Sequence, residues 1–182
     1  MIALVIILIL VPLFGLLFVK VQRSLVSLDE KAENSLSNIG VQQKSRFDAL
    51  VQLAKAAKGY AGHEADTYVN LAQARSGKPV KSTSDVVENE EAYKEIVKGL
   101  NVVVEAYPQL KSDGLYMKTM DSINDFENKV RMSRQVYNDC ATKYNREIRQ
   151  FPNSIIAGIL HFERKDYLEF NDESVNMPDL DL

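Results

Sequence analysis

The sequence predicts an all-α protein: an N-terminal transmembrane helix followed by a long helical bundle. Three observations carry this. The first nineteen residues, MIALVIILILVPLFGLLFV, hold no charge, amide or hydroxyl, and the first ionisable side chain is Lys20. Beyond them, apolar residues recur at the three- and four-residue spacings of a helix face. Glycine and proline are sparse, at 8 and 5, and cluster at a few points, which suits long helices better than many short strands. On this reading residues 1–19 are the anchor, 20–168 the bundle, and 169–182 an acidic tail without fixed structure.

At the helical rise, nineteen residues span about 28 Å, close to the hydrocarbon thickness of a bilayer. A cleaved signal peptide is the competing reading. It would show a basic leader, a shorter apolar core and a small-x-small exit. Nothing basic precedes Ile2, and Val19-Lys20-Val21-Gln22 offers no such pair. Pro12 and Gly15 are tolerated in lipid, where neighbours satisfy freed backbone groups. Lys20, Arg23 and Lys31 flank the anchor on its C-terminal side, so the positive-inside bias puts the bundle in the cytoplasm. The expected location is a membrane, crossed once.

All 22 basic and 25 acidic residues follow the anchor, giving a net charge of −3. This is not the balance of a nucleic-acid binder. The single Cys140 excludes an internal disulfide.

The first bundle helix reads from Leu25, Leu28, Ala32, Leu36 and Ile39, spaced 3, 4, 4 and 3, and resumes as Leu50, Ala54, Ala57, Ala61, Ala65, Tyr68 and Ala72. Small residues there allow close helix approach, and Gln42, Gln43, Lys44, Arg46 and Asp48 fit a solvated opposite face. Gly40, Gly59 and Gly62 are points of bending. The first strong stop is Ser76-Gly77-Lys78-Pro79, and residues 76–84 read as a loop. A helix from about Asp85, capped by Ser84, runs towards Ala106 and ends at Tyr107-Pro108. Ser112 or Asp113 caps the next helix, about Leu115 to Gln150. Its Ile123, Val130, Tyr137, Tyr144 and Phe151 repeat every seven residues, with Phe126, Ser133 and Cys140 on companion positions. That is a coiled-coil-like seam. A short apolar helix around Ile155, Ile156, Ile159, Leu160 and Phe162 follows.

Three blocks in this order carry a resemblance. The first is Asn38 to Asp48 (NIGVQQKSRFD), continuing to Lys58-Gly59-Tyr60-Ala61-Gly62-His63-Glu64. The second is Glu105 to Lys111 (EAYPQLK). The third is Glu127-Asn128-Lys129-Val130 with Tyr137-Asn138-Asp139, Tyr144-Asn145 and Phe151-Pro152. They resemble the LemA family of bacterial membrane proteins, over nearly the whole chain to about Phe170. The family commonly shows a tryptophan near Leu36 and a proline in the segment matched by Ala49 to Gln52, and both are absent here. The resemblance implies an antiparallel bundle behind a single anchor and brings no established catalysis.

His63-Glu64 looks like half of a zinc-protease motif, but position 67 is Thr and the only other histidine is His161. No metal or other cofactor is expected. Lys58, Gly59, Tyr60, Gly62, His63 and Glu64 form a candidate interaction surface, with a close helix contact as the plainer alternative. Lys129, Arg131, Arg134, Arg146 and Arg149, with Lys143, form a candidate basic face for anionic lipid or an acidic partner. The plainer reading is a solvated face paired with Glu88, Glu90 and Glu91. Tyr137 and Tyr144, with Asn138, Asn145 or backbone carbonyls elsewhere as partners, are expected to form a hydrogen-bonded core network rather than a ligand site. Cys140 reads as a buried small hydrophobe. No nucleophile elbow, P-loop or paired-carboxylate signature is present, so no enzyme is predicted. The function expected is a scaffold or interaction module in the lipid bilayer through residues 1–19, self-assembling or holding another protein, with no nucleic acid. The alternatives are an accessory subunit of a membrane enzyme, with a site near His63 and Glu64, and a membrane signal sensor.

Overall fold

The structure is a computed structural model that describes residues 2–169, without the side chains of residues 2–7, 63 and 64. The reading of 169–182 as a tail falls almost wholly outside the described residues. Among these, the chain is all-α: α1 (Ile2–Ala61), α2 (His63–Ser76), α3 (Thr83–Ala106), a 3-10 turn (Pro108–Ser112), α4 (Gly114–Glu147) and α5 (Asn153–Ile159). It divides into two compact units. One contains the chain up to Ser35 together with Val136 to Tyr167, and the other contains Leu36 to Gln135.

The larger unit is a four-helix bundle with up-down-up-down order. Antiparallel pairing of α1 and α2 follows from Ser76, at the end of α2, donating its hydroxyl to Asp48. Tyr68 of α2 meets Gly99 of α3, and Arg75 pairs with Glu88 at 2.8 Å, so these helices also run oppositely. Tyr60 reaches Asp113, Arg46 reaches Glu127 and Asn38 reaches Ser133, which sets α4 antiparallel to α1. The core joins Phe47, Leu50, Leu53, Ala54 and Ala57 to Tyr93, Ile96, Val97, Leu100, Tyr116, Met120 and Ile123.

Local chemistry explains the boundaries. α1 stops at Ala61 because Gly62 takes φ 56° and ψ −122°, backbone that only glycine adopts without strain. The expected stop at Ser76-Gly77 is therefore the second one, and Gly62 makes a hairpin rather than a bend. α3 starts two residues before the predicted Asp85. Ser82, not Ser84, is its cap: the Ser82 hydroxyl accepts from the Asp85 N–H at 3.2 Å, and the Asp85 carboxylate accepts from the Ser82 N–H at 2.9 Å. Hydrogen bonds from the Lys81 N–H and Ser82 hold the Asp85 carboxyl below its usual range. Asp113 caps α4 by accepting from the Leu115 and Tyr116 N–H groups at 2.9 and 3.1 Å. α4 ends at Glu147 rather than Gln150.

Gly99 is where a side chain would meet a neighbour. A Cβ there would lie 2.2 Å from the Tyr68 ring. Overpacking costs about 1–3 kcal/mol, against about 1 kcal/mol of helix propensity gained. Gly99→Ala should thus lower the urea midpoint of the solubilised chain, and in a Tyr68→Ala background the same change should raise it.

The smaller unit packs Val21 and Leu25 of α1 against Tyr144 and Ile148 at the end of α4 and Ile156 and Ala157 of α5, with Phe18 at its edge. After α5 the chain runs without regular secondary structure. Lys165 is fixed by Asn145 through two backbone hydrogen bonds of 2.8 and 2.9 Å, and its ammonium pairs with Asp29 at 2.7 Å.

Candidate functional site

The first feature is the start of α1. From Leu8 to Leu17 every side chain is exposed, including Leu8 at 70%, Phe14 at 61% and Leu16 at 72%. A helix on the surface of a globular protein buries one apolar stripe, whereas this segment is apolar all round with no stripe covered. Among the described residues α1 is the helix long and apolar enough to cross a membrane, with a mean hydropathy of 1.7 in its most apolar window. Lys20 and Arg23 are exposed directly after it.

The Lys58–Glu64 segment is the α1–α2 corner. Lys58 pairs with Asp66 at 2.6 Å, and the Tyr60 hydroxyl donates to Asp113 at 3.3 Å. Neither Gly59 nor Gly62 has an atom within 4 Å of the position a Cβ would take. The close helix contact weighed for these glycines is therefore absent. Gly62 is required by the turn and not by crowding. The side chains of His63 and Glu64 lie outside the described residues.

A polar cluster inside the bundle was not foreseen. Gln43 and Arg46, expected on the solvated face of α1, are buried, with Arg46 at 0% exposure. The Arg46 guanidinium binds Glu90 at 2.7 and 3.3 Å and Glu127 at 2.5 Å, and its Cζ stacks 3.7 Å from the centre of the Tyr93 ring. Burial works against the guanidinium charge, but the Glu90 and Glu127 carboxylates outweigh it and raise its pKa. Burial pushes the Tyr93 phenol up, and Glu127 and Glu90 add to this against the opposing pull of Arg46. Beside it, the Gln43 amide donates to the Val86 carbonyl at 3.0 Å and accepts from Asn89 at 3.2 Å. The signal was available in spacing: Ile39, Gln43, Arg46 and Leu50 form one stripe, as do Val86, Glu90, Tyr93 and Val97, and Ile123, Glu127 and Val130. An apolar pocket of about 10 Å³ lies farther along the same core, lined by Leu50, Leu53, Val97, Leu100, Tyr116 and Met120 among others.

Glu88 and Glu90, weighed as partners of the basic residues of α4, pair with other cations. Glu88 is taken by Arg75 and Lys78, and Glu90 by Arg46. Lys129 pairs with Asp125 at 3.3 Å, Arg131 bonds Asn128 at 3.1 Å, and Arg134 bonds the Glu169 carbonyl. Arg146 and Arg149 are exposed. Tyr137 is buried and donates to the Asp166 carbonyl at 2.9 Å. Tyr144 is buried against Phe162, with ring centres 6.4 Å apart, and burial first, then Asp29 and Glu33, push its phenol up to about 12. Asn145 serves the Lys165 backbone rather than Tyr144. Asn138 also has a partner. The seam is buried at Ile123, Val130, Tyr137 and Tyr144, but Phe151 is 82% exposed because α4 has already ended. Cys140 is half-buried rather than buried. Among the described residues no three His, Cys, Asp or Glu side chains are grouped as metal ligands.

Comparison with known proteins identifies a family. The LemA family pattern matches residues 35–181. The chain belongs to the LemA family. A protein LemA from Metamycoplasma hominis is 27% identical over 150 residues, covering 81% of this chain and 68% of the relative. Two magnetosome proteins, MamQ 2 and MamQ 1 of Paramagnetospirillum magneticum, are each 36% identical over 70 residues. That match covers 38% of this LemA-family chain and spans only about a quarter of each MamQ protein.

Proposed function

We propose that this LemA-family protein is a membrane-anchored helical scaffold that presents its bundle to a protein partner or a second copy and performs no catalysis itself. The observation that carries the reading is helix α1. It starts as an exposed apolar run and, without a break, supplies the first helix of the bundle. One element thus both enters the bilayer and builds the body. The exposed Lys20 and Arg23 favour a cytoplasmic bundle. The core supports a structural role for the polar residues, because the Arg46 charge is used by carboxylates of α3 and α4.

Crosslinking in intact bacterial cells tests this, comparing the full chain with one lacking residues 1–19. The expected result is a ladder of the full chain with itself, or one dominant partner, lost or weakened without the anchor. A full chain that stays monomeric and uncaptured, under conditions that trap a control complex, overturns the scaffold reading.

A further inference from the structure

We propose that the α4–α5 turn and α5 form a second membrane contact, lying in the headgroup region beside the base of the anchor with Phe151, Ile155 and Ile159 turned into lipid. This rests on reading the start of α1 as a membrane anchor.

Position comes first. α5 packs its buried Ile156 and Ala157 on Val21 and Leu25, and Phe18, still inside the apolar run, edges the same cluster. Leu25 is six residues past Val19, about 9 Å along the helix. α5 is therefore held at the level where the apolar run gives way to Lys20 and Arg23. Its inner face is satisfied by that cluster, but its outer face is also apolar. Phe151 is 82% exposed, Ile155 54% and Ile159 60%. The three are spaced four residues apart, so the two isoleucines stand one turn apart on α5 with Phe151 just ahead of it. Single exposed hydrophobes are ordinary, whereas three large ones together mark a contact surface.

Lipid is the occupant that the surroundings favour. The patch belongs to the helix packed at the base of the exposed apolar run from Leu8 to Leu17, and the exposed cations Lys20, Arg23, Arg146 and Arg149 lie on the segments that lead into it. An apolar face bordered by Lys and Arg is the composition of a helix lying in an anionic interface.

The chain has no tryptophan, so one introduced tryptophan reports alone. Full-length Phe151→Trp and Ile159→Trp, reconstituted in vesicles of phosphatidylcholine and phosphatidylglycerol, would be compared with Leu10→Trp in the anchor and Val102→Trp on the exposed side of α3. Matching circular dichroism confirms that each variant folds. Blue-shifted emission at 151 and 159, quenched by lipids brominated near the headgroup and protected from iodide, is the expected result, with Val102→Trp unaffected by brominated lipid. Water-like emission at 151 and 159 while Leu10→Trp is quenched by brominated lipid overturns the second contact and leaves the anchor standing. Blue-shifted emission without lipid quenching means protein covers the patch, a second copy included, and also overturns it. If Leu10→Trp itself escapes quenching, the anchor reading fails and the second contact with it.

Discussion

Arg46→Ala is expected to cost about 3–5 kcal/mol of stability, because it removes a fully buried side chain and leaves the largely buried Glu90 carboxylate without its counter-charge. Arg46 is fully buried and holds both Glu90 and Glu127. The partners should rank by their access to water. Glu90 has a side chain 17% exposed and cannot easily rehydrate, whereas Glu127 is 46% exposed. Glu127→Gln should therefore cost under about 1 kcal/mol, as for pairs near the surface, and Glu90→Gln distinctly more. Replacing all three together (Arg46→Met, Glu90→Leu, Glu127→Gln) should restore much of the loss, since removing a whole ion cluster in favour of apolar residues at its buried positions is often neutral. Urea unfolding of the detergent-solubilised chain, followed by circular dichroism, measures each. An Arg46→Ala midpoint equal to the parent's would show that the cluster contributes nothing to the fold.

Ile9→Arg/Leu10→Arg should remove the protein from the membrane. The fifteen Leu, Ile, Val and Phe residues in residues 1–19 favour insertion by about 0.3–0.6 kcal/mol each, roughly 4–9 kcal/mol together. Each central arginine costs about 2.5–3.5 kcal/mol and forfeits one apolar contribution, so the pair opposes insertion by roughly 6–8 kcal/mol. The two sums are comparable, and a mostly inserted chain becomes a mostly uninserted one. Washing membranes with alkaline carbonate should retain the parent and an Ile9→Leu/Leu10→Ile control while releasing the double-arginine variant. Retention of that variant would mean that residues 1–19 are not what holds the chain there.

The helices were legible because their signals are local. An uncharged apolar run, stripes at spacings of three and four, and a Tyr-Pro stop each show within a few residues of sequence. Even the placement of Tyr137 and Tyr144 on a buried seam follows from a seven-residue repeat. The polar core was not legible in the same way. Arg46 on its own looks like one more cation on a polar face, and its burial makes sense only once Glu90 and Glu127, 44 and 81 residues away, are brought to it. Gly62 failed for a different reason. A glycine that bends a helix and one that reverses the chain look alike until the backbone angle is known. Phe151 continued a heptad on paper, but the helix that gave the heptad meaning had ended four residues earlier.

The alanines of α1 and α2 have one further consequence when set beside Arg46. Ala54, Ala57, Ala61, Ala65 and Ala72 are all buried, and such uniform, shallow side chains give neighbouring helices little reason to prefer one axial alignment over another. Sliding α1 by one turn moves any point on it by about 5.4 Å. Alanine would meet alanine much as before, but the Arg46 guanidinium would lose both carboxylates and the Tyr93 ring at once. The buried charge acts as a register pin: the small residues of α1 leave its axial position loosely set, and Arg46 fixes it against α3 and α4.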